Sequence, residues 1–424
     1  MADLAIRGGR VLDPAQNLDT VCDLLLSGGR IAEIGDGLRA ERELDARGLL
    51  VVPGLIDLHV HLREPGDPHE ETIETGSAAA VAGGFSTVLA MPNTDPPLDT
   101  PAAIAHVYMQ AARAGMANVF PVGCVTRGRA GRELAELRAM AEAGAVAFSD
   151  DGSWIESSRV MKQALEYARP LDLPILAHCE ETELVAGGVM NQGPMSVKLG
   201  LPARPASAEE IAVARDLRLA EEVGGRLHVC HLSTARSVEL VREAKRRGTA
   251  VTCEAAPHHL LLTDEALAGC DPVFKVNPPL RTSDDCRALA AGLRDGTVDA
   301  VATDHAPHAP EEKEADILSA PSGMLGLETA LALMLDRLVD TGQLDLATVI
   351  YRMTAGPATA MGLLPRGTLR PGAPGDVTVI DPECRWYVDP AAFRTPGMGS
   401  PFAGWELKGR AVLTVVGGAV KFQV

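Results

Sequence analysis

The strongest constraint on the fold of this chain is an alternation running from about residue 51 to residue 304. Short apolar runs fit strands near 51–62, 86–91, 118–125, 145–150, 173–179, 227–233, 249–255 and 299–304, with alanine-rich helical stretches between most of them. Helix starts are signalled locally. Thr100-Pro101 places a capping hydroxyl before a proline at the first helical position. Ser207-Ala-Glu-Glu210 fits a capping box. Eight strand–helix units in about 250 residues predict a (β/α)8 TIM-like barrel of the α/β class. An open doubly wound sheet is the alternative, but no GxGxxG follows the first strand.

The flanks have a different texture. Residues 1–50 read as short strands with glycine turns, Gly8-Gly9 and Gly28-Gly29 marking hairpins. After about residue 355 the same texture returns in GTLRPGAPGDVTVID, RWYVD and ELKGRAVLTVVGGAVKF. The economical reading is one small β-sandwich domain built from both chain ends, 1–50 and 356–424, flanking a barrel over 51–355. A chain of 424 residues is long enough for both.

Composition removes some function classes. The formal net charge is −18, and no Lys/Arg-rich run appears, which argues against nucleic acid as a partner. No apolar run is long enough to span a bilayer. The first residues lack the charged-then-apolar pattern of a signal peptide. The eight cysteines are scattered without a CxxC pair, so they are expected to be reduced and mostly buried in a cytoplasmic protein. Cys179 and Cys230 each adjoin a histidine. Neighbours on a strand face opposite ways, so both thiols are expected to pack outward against helices.

In a barrel of this kind functional groups gather at the C-terminal ends of the strands. The first strand, VVPGLIDLHVHLR, ends in His59 and His61, on one face by alternation with Leu58 and Val60 on the other, and then Arg63. The fourth ends in Ser149-Asp150-Asp151-Gly152, the fifth in His178, the sixth in His231, and the eighth in Asp304, followed by His305 and His308. Each has an ordinary structural explanation alone, but together they converge on one rim. Imidazole with carboxylate suits Zn2+, with Mn2+, Co2+ or Fe2+ as alternatives. There are more ligands than one tetrahedral ion takes. Two ions about 3.5 Å apart, sharing a carboxylate, would use them. Such a centre lowers the pKa of bound water to near 7 and points to hydrolysis of an amide or its reverse. Alternation lets only one of Asp150 and Asp151 face the metal. An anionic substrate would need a local cation, for which Arg63 is the first candidate.

The HxHxR strand, with histidines ending strands five and six and an aspartate ending strand eight, resembles the amidohydrolase superfamily. MPNTDPP at 91–97, NPPLR at 277–281, ATDHAPH at 302–308 and SGMLGLET at 322–329 together look like dihydroorotase, and AFSDDG at 147–152 looks like its bacterial type I branch. The resemblance covers essentially the whole chain. It implies reversible cyclisation of N-carbamoyl-L-aspartate to L-dihydroorotate in de novo pyrimidine biosynthesis. It also implies one or two zinc ions per subunit: His59, His61 and Asp304 on one, His178 and His231 on the other, Asp151 bridging. Asp304 would act as general base and then acid beside a metal-bound hydroxide. Arg63, Asn93, Asn277, His308 and the Gly323 backbone would contact the substrate. His258 and His259 are left outside this set. Many superfamily members bridge their metals with a carboxylated lysine, but no lysine lies between Arg132 and Met161 here. The polar stretch 306–325 is expected to be a lid.

Beyond the small-molecule substrate, the resemblance allows a homodimer and association with aspartate transcarbamoylase. Two other readings compete. Allantoinases, hydantoinases and dihydropyrimidinases also open cyclic amides, but generally use the missing lysine and have less need of an arginine for a free carboxylate. A non-catalytic subunit supporting the transcarbamoylase would be expected to have lost metal ligands, and all are present.

Overall fold

The computed structural model describes residues 3–397 and 399–424. Eight strands form the barrel: β1 (Leu55–Val60), β2 (Phe85–Ala90), β3 (Asn118–Pro121, resuming at Gly123–Cys124), β4 (Phe148–Ser149), β5 (Ile175–Ala177), β6 (Leu227–Val229), β7 (Val251–Ala255) and β8 (Ala300–Val301). Each pairs in parallel with its sequence neighbour, the two halves of β3 serving β2 and β4 in turn. A parallel bridge between Val60 and His305 closes the ring, and the His61 N–H donates to the His305 carbonyl at 2.8 Å.

Ile56, Leu58, Leu89, Leu176, Cys230 and Ala300 pack inside the barrel. Ala358 and Met361 of the helix Ala355–Met361 join them and close the end away from the strand-end histidines. A separate apolar layer between strands and helices includes Val60, Val88 and Val229 with Ile104, Leu165 and Leu217. Thr100 caps the helix Pro101–Ala114 as predicted, its hydroxyl accepting from the Ala103 N–H at 3.2 Å. The capping box at Ser207–Glu210 does not form. The helix Ala206–Val223 begins earlier, after Pro205, without a side-chain cap. The buried Glu209 carboxylate instead accepts from the N–H groups of Ser233 and Thr234, both at 3.1 Å. Those donors would otherwise be buried without partners, and a carboxylate in the interior needs them in turn.

The apolar run predicted as one strand over 51–62 is divided at Gly54. Leu50–Pro53 pairs with Leu4–Asp13 and Val377–Tyr387 in the outer sheet, while Leu55–Val60 enters the barrel. A Cβ on Gly54 would lie 2.2 Å from Ser86 Oγ, so only glycine fits this crossing. The outer sheet takes its strands from both chain ends, and the small β-sandwich domain has its own core of Leu4, Ile6, Leu24, Val51, Val377 and Val415. Gly28-Gly29 forms a hairpin turn with φ of 56° and 74°. Gly8-Gly9 does not. The strand Leu4–Asp13 runs through it, and Gly8 at φ 67° marks a bulge in the pairing.

Alternation also fails inside β1. The pairing register shifts between Asp57 and Val60, so Leu58 packs inside the barrel and Val60 outside against the helices. Asp57 closes the irregular step by accepting from the His59 N–H at 3.1 Å.

Candidate active site

The rim is organised around Asp151. Its Oδ2 lies 3.3 Å from His59 Nε2 and 3.6 Å from His61 Nε2. Its Oδ1 lies 3.5 Å from His178 Nδ1 and 3.4 Å from His231 Nε2. One carboxylate therefore presents one oxygen to each of two histidine pairs. Asp304 Oδ1 approaches the first pair, 3.2 Å from His61 Nε2 and 3.5 Å from His59 Nε2. All six side chains are buried. Asp150 turns away, accepting from the N–H groups of Val125 at 2.9 Å and Thr126 at 3.0 Å.

Second partners orient the imidazoles. His61 Nδ1 lies 2.7 Å from Asn93 Oδ1, and His59 Nδ1 lies 2.8 Å from Glu254 Oε1. Both partner oxygens accept, so each Nδ1 donates and each Nε2 is the ring atom turned to the carboxylates, where it can ligate a cation once it gives up its proton. His59 Nε2 has no hydrogen-bond partner although buried. Donor types and arrangement thus fit one divalent cation at each histidine pair. Burial alone would raise the carboxyls of Asp151 and Asp304. The surrounding histidines, His59 foremost, outweigh it and hold both well below the usual carboxylate range.

Three of these strand-end residues adopt left-handed backbone that non-glycine residues rarely take: Arg63 at φ 54°, His231 at 28° and Asp304 at 50°. At His231 this has a visible consequence. Cys230 points into the barrel interior with Leu176 and Ala300, and the left-handed step brings the next side chain to the rim as well. The expectation that Cys230 packs outward is therefore wrong. Its thiol lies with His59 and Glu254. Cys179 does pack outward, its Sγ 3.6 Å from Asp216 Oδ2.

Beside the histidines is a cavity of about 200 Å3, lined among others by Arg63, Asn93, Asn277, His308 and Gly323. Arg63 donates from Nε and Nη2 to the Pro307 carbonyl at 3.2 and 3.1 Å, and its Nε is 3.3 Å from Glu70 Oε2. Nη1 has no partner among the described residues. Asn277 is fixed on both sides, donating to Glu180 Oε2 at 2.9 Å and accepting from Arg204 Nη1. His308 donates from Nε2 to the Ser322 carbonyl at 2.9 Å, while its Nδ1 is 3.3 Å from Glu70 Oε1. The Gly323 N–H is spent on the Lys275 carbonyl at 3.0 Å, leaving its carbonyl for any ligand. Its φ of 143°, and a Cβ position 2.7 Å from the Ala306 carbonyl, require glycine. The stretch 306–325 contains a short helix, Pro310–Lys313, and lies against the body of the protein. Lys275 Nζ donates to the carbonyls of Leu318 and Ala320, and Ile317 and Met324 are buried.

Two families of sequence profile match the chain: one described as dihydro-orotase-like over residues 48–237, and one described as the amidohydrolase family over residues 200–422. Among curated relatives, a dihydroorotase from Geobacter sp. (strain M21) is 50% identical over 99% of both chains. A dihydroorotase from Pelotomaculum thermopropionicum is 51% identical over 99% of this chain and 98% of the relative. The chain belongs to the dihydroorotase family. It is a cyclic amidohydrolase of a metal-dependent superfamily. Solved structures of the same architecture include an L-hydantoinase (dihydropyrimidinase) from Arthrobacter aurescens, with TM-score 0.89 and 30% identity over 100% of this chain and 96% of that one. A D-hydantoinase (dihydropyrimidinase) from Thermus sp. has TM-score 0.84 and 26% identity over 99% and 95%.

Three glutamates that the sequence reading does not name also shape the site: Glu254 beside His59, Glu180 beside His178 and Glu70 beside Arg63. The signal for Glu254 was present. In VTCEA, alternation puts Thr252 and Glu254 on one face of an otherwise apolar strand, and a carboxylate there needs a partner. β7 ends without a histidine or aspartate, so strand-end chemistry does not single it out. Glu180 lies two residues beyond His178, its Oε2 3.5 Å from His178 Nε2, and Glu70 reaches both Arg63 and the distant His308.

Proposed function

We propose that the chain interconverts N-carbamoyl-L-aspartate and L-dihydroorotate at this rim. The observation that carries the reading is the juxtaposition, at one cavity, of a half-buried arginine with a free guanidinium edge and the buried four-histidine, two-aspartate centre. A ring amide is opened at such a centre, and a neighbouring cation holds a carboxylate that takes no part in the reaction. His59, His61 and Asp304 would hold one zinc ion, His178 and His231 a second, with Asp151 shared. When bound, zinc polarises a carbonyl oxygen and lets water ionise near neutral pH.

The chain's own residues then have separable tasks. Asp304, 3.2 Å from His61 Nε2, takes the proton of the attacking water and returns it to the departing ring nitrogen. In the biosynthetic direction it accepts the ureido nitrogen's proton. Arg63 offers its Nη1–Nη2 edge to the unreacting carboxylate in bidentate fashion. Asn93 accepts from His61 Nδ1 through Oδ1, so its amide N–H groups remain to donate to substrate oxygen. Asn277 and the Gly323 carbonyl contact the ureide, and His308 positions the far wall of the cavity. Cyclisation converts an ionised carboxylate to a neutral amide and consumes a proton, so lower pH shifts the equilibrium towards dihydroorotate. The decisive experiment is a dihydroorotate hydrolysis assay on purified protein, with hydantoin and allantoin as controls and metal content measured alongside. Turnover of hydantoin in preference to dihydroorotate would overturn the reading in favour of a hydantoinase.

A further inference from the structure

A buried carboxylate beneath the rim touches both halves of the centre. Glu254, on β7, is 1% exposed. Its Oε1 lies 2.8 Å from His59 Nδ1 and also accepts from the His231 backbone N–H at 3.3 Å. Its Oε2 lies 3.2 Å from His228 Nε2, and His228 Nδ1 lies 2.8 Å from Thr252 Oγ1. A chain therefore runs from Thr252 through His228 and Glu254 to His59, enclosed by the barrel wall. We infer that Glu254 is a positioning residue that selects the tautomer of His59 and holds the backbone of His231, and so ties the two metal subsites together. The inference rests on the proposal that His59 and His231 hold metal.

The physical need for such a group follows from the rim. Asp151 Oδ2 and Asp304 Oδ1 lie 3.3 and 3.5 Å from His59 Nε2. Without a competitor those carboxylates would draw the imidazole proton onto Nε2, and a protonated nitrogen cannot ligate a cation. Glu254 competes from the opposite side of the ring and keeps the proton on Nδ1. His231 poses a second problem, because its backbone sits at φ 28°, which non-glycine residues rarely adopt. The bond from its N–H to Glu254 Oε1 offsets that strain on the strand next to β7. His228 takes the other oxygen, so the carboxylate cannot rotate away. Asp57, the buried carboxylate on β1, is committed to the Thr303 N–H at 3.0 Å and hydroxyl at 2.6 Å.

The test is zinc affinity, measured by chelator competition on the purified full-length protein, with unfolding of the metal-free form followed in parallel. Glu254→Gln keeps the shape and one acceptor but removes the charge. It is expected to weaken zinc binding roughly 10–100-fold, while the metal-free protein unfolds close to the wild-type temperature. A purely structural role would lower the unfolding temperature and leave affinity unchanged. Zinc affinity within about threefold of wild type would overturn the inference. Should Glu254→Gln fail to fold, His228→Gln decides, with a smaller loosening expected and unchanged affinity counting against the role. His59→Ala separates the premises. If that variant keeps its full zinc, the metal-site proposal fails, and not the role of Glu254 alone.

Discussion

Replacing Arg63 with alanine is the most direct probe of how the cavity recognises charge. The guanidinium is held from one side only, by the Pro307 carbonyl at 3.1 and 3.2 Å and by Glu70 at 3.3 Å, leaving Nη1 and one hydrogen of Nη2 toward the cavity. A carboxylate received on that edge makes two charge-assisted hydrogen bonds, each worth about 1.5–3 kcal/mol net. Losing both costs about 3–6 kcal/mol, a factor on the order of 10²–10⁴ in affinity. Truncation also leaves the Glu70 carboxylate near an anionic ligand. The bound carboxylate does not change charge during the reaction, so the loss falls on ground state and transition state alike and appears in KM, with kcat little changed. Steady-state hydrolysis of dihydroorotate over a wide substrate range measures both constants. Arg63→Lys, which keeps the charge but not the fork, should fall between. An unchanged KM in Arg63→Ala would refute the clamp, and an equal loss in kcat alone would move Arg63 into the chemistry.

Asp304→Asn is expected to lower kcat by about 10²–10⁴-fold with the fold retained; near-wild-type turnover would remove it as the general base. Asp151→Ala should lose most of its bound metal by elemental analysis, whereas Asp150→Ala should keep its metal and lose about 1–3 kcal/mol of stability from the abandoned N–H groups of Val125 and Thr126. Burial pushes the Glu328 carboxyl up to about 7, outweighing the N–H donors of Arg394 and Thr395. The folded state therefore holds an extra proton between the ordinary glutamate pKa and about 7, and stability falls as pH rises through that window. Glu328→Gln should stabilise the fold more at pH 8 than at pH 5, by up to about 3 kcal/mol at the alkaline end, read as a larger rise in unfolding temperature there, and an equal effect at both pH values would sink the argument. Gly323→Ala forces a Cβ to 2.7 Å from the Ala306 carbonyl and 2.8 Å from His308 Nε2. It should cost stability and raise KM together, checked by thermal unfolding and kinetics on the same preparation.

Much of this protein is legible before any coordinates. The alternation of strand and helix determines a closed parallel barrel. The recurrence of strand-and-turn texture at both ends determines a second, β-rich domain. Side-chain chemistry at the strand ends names His59, His61, His178, His231 and Asp304, because a barrel brings strand ends together wherever they fall in the chain. Alternation leaves Asp150 and Asp151 open and the family resemblance favours Asp151; the tertiary structure supplies the reason, because Asp150 is drawn to the N–H groups of Val125 and Thr126 and Asp151 is left to the rim. Only coordinates showed that Cys230 faces inward, since strand alternation is broken by the left-handed backbone at His231. The same holds for the register shift that puts Leu58 inside the barrel and Val60 outside it. Periodicity assumes regular backbone, and the backbone is least regular where the strands end and the chemistry collects. Glu254 belongs to the same lesson. Its residue type and face can be read locally, but its role lies in contacts to His59 and His228, which the barrel alone brings within reach.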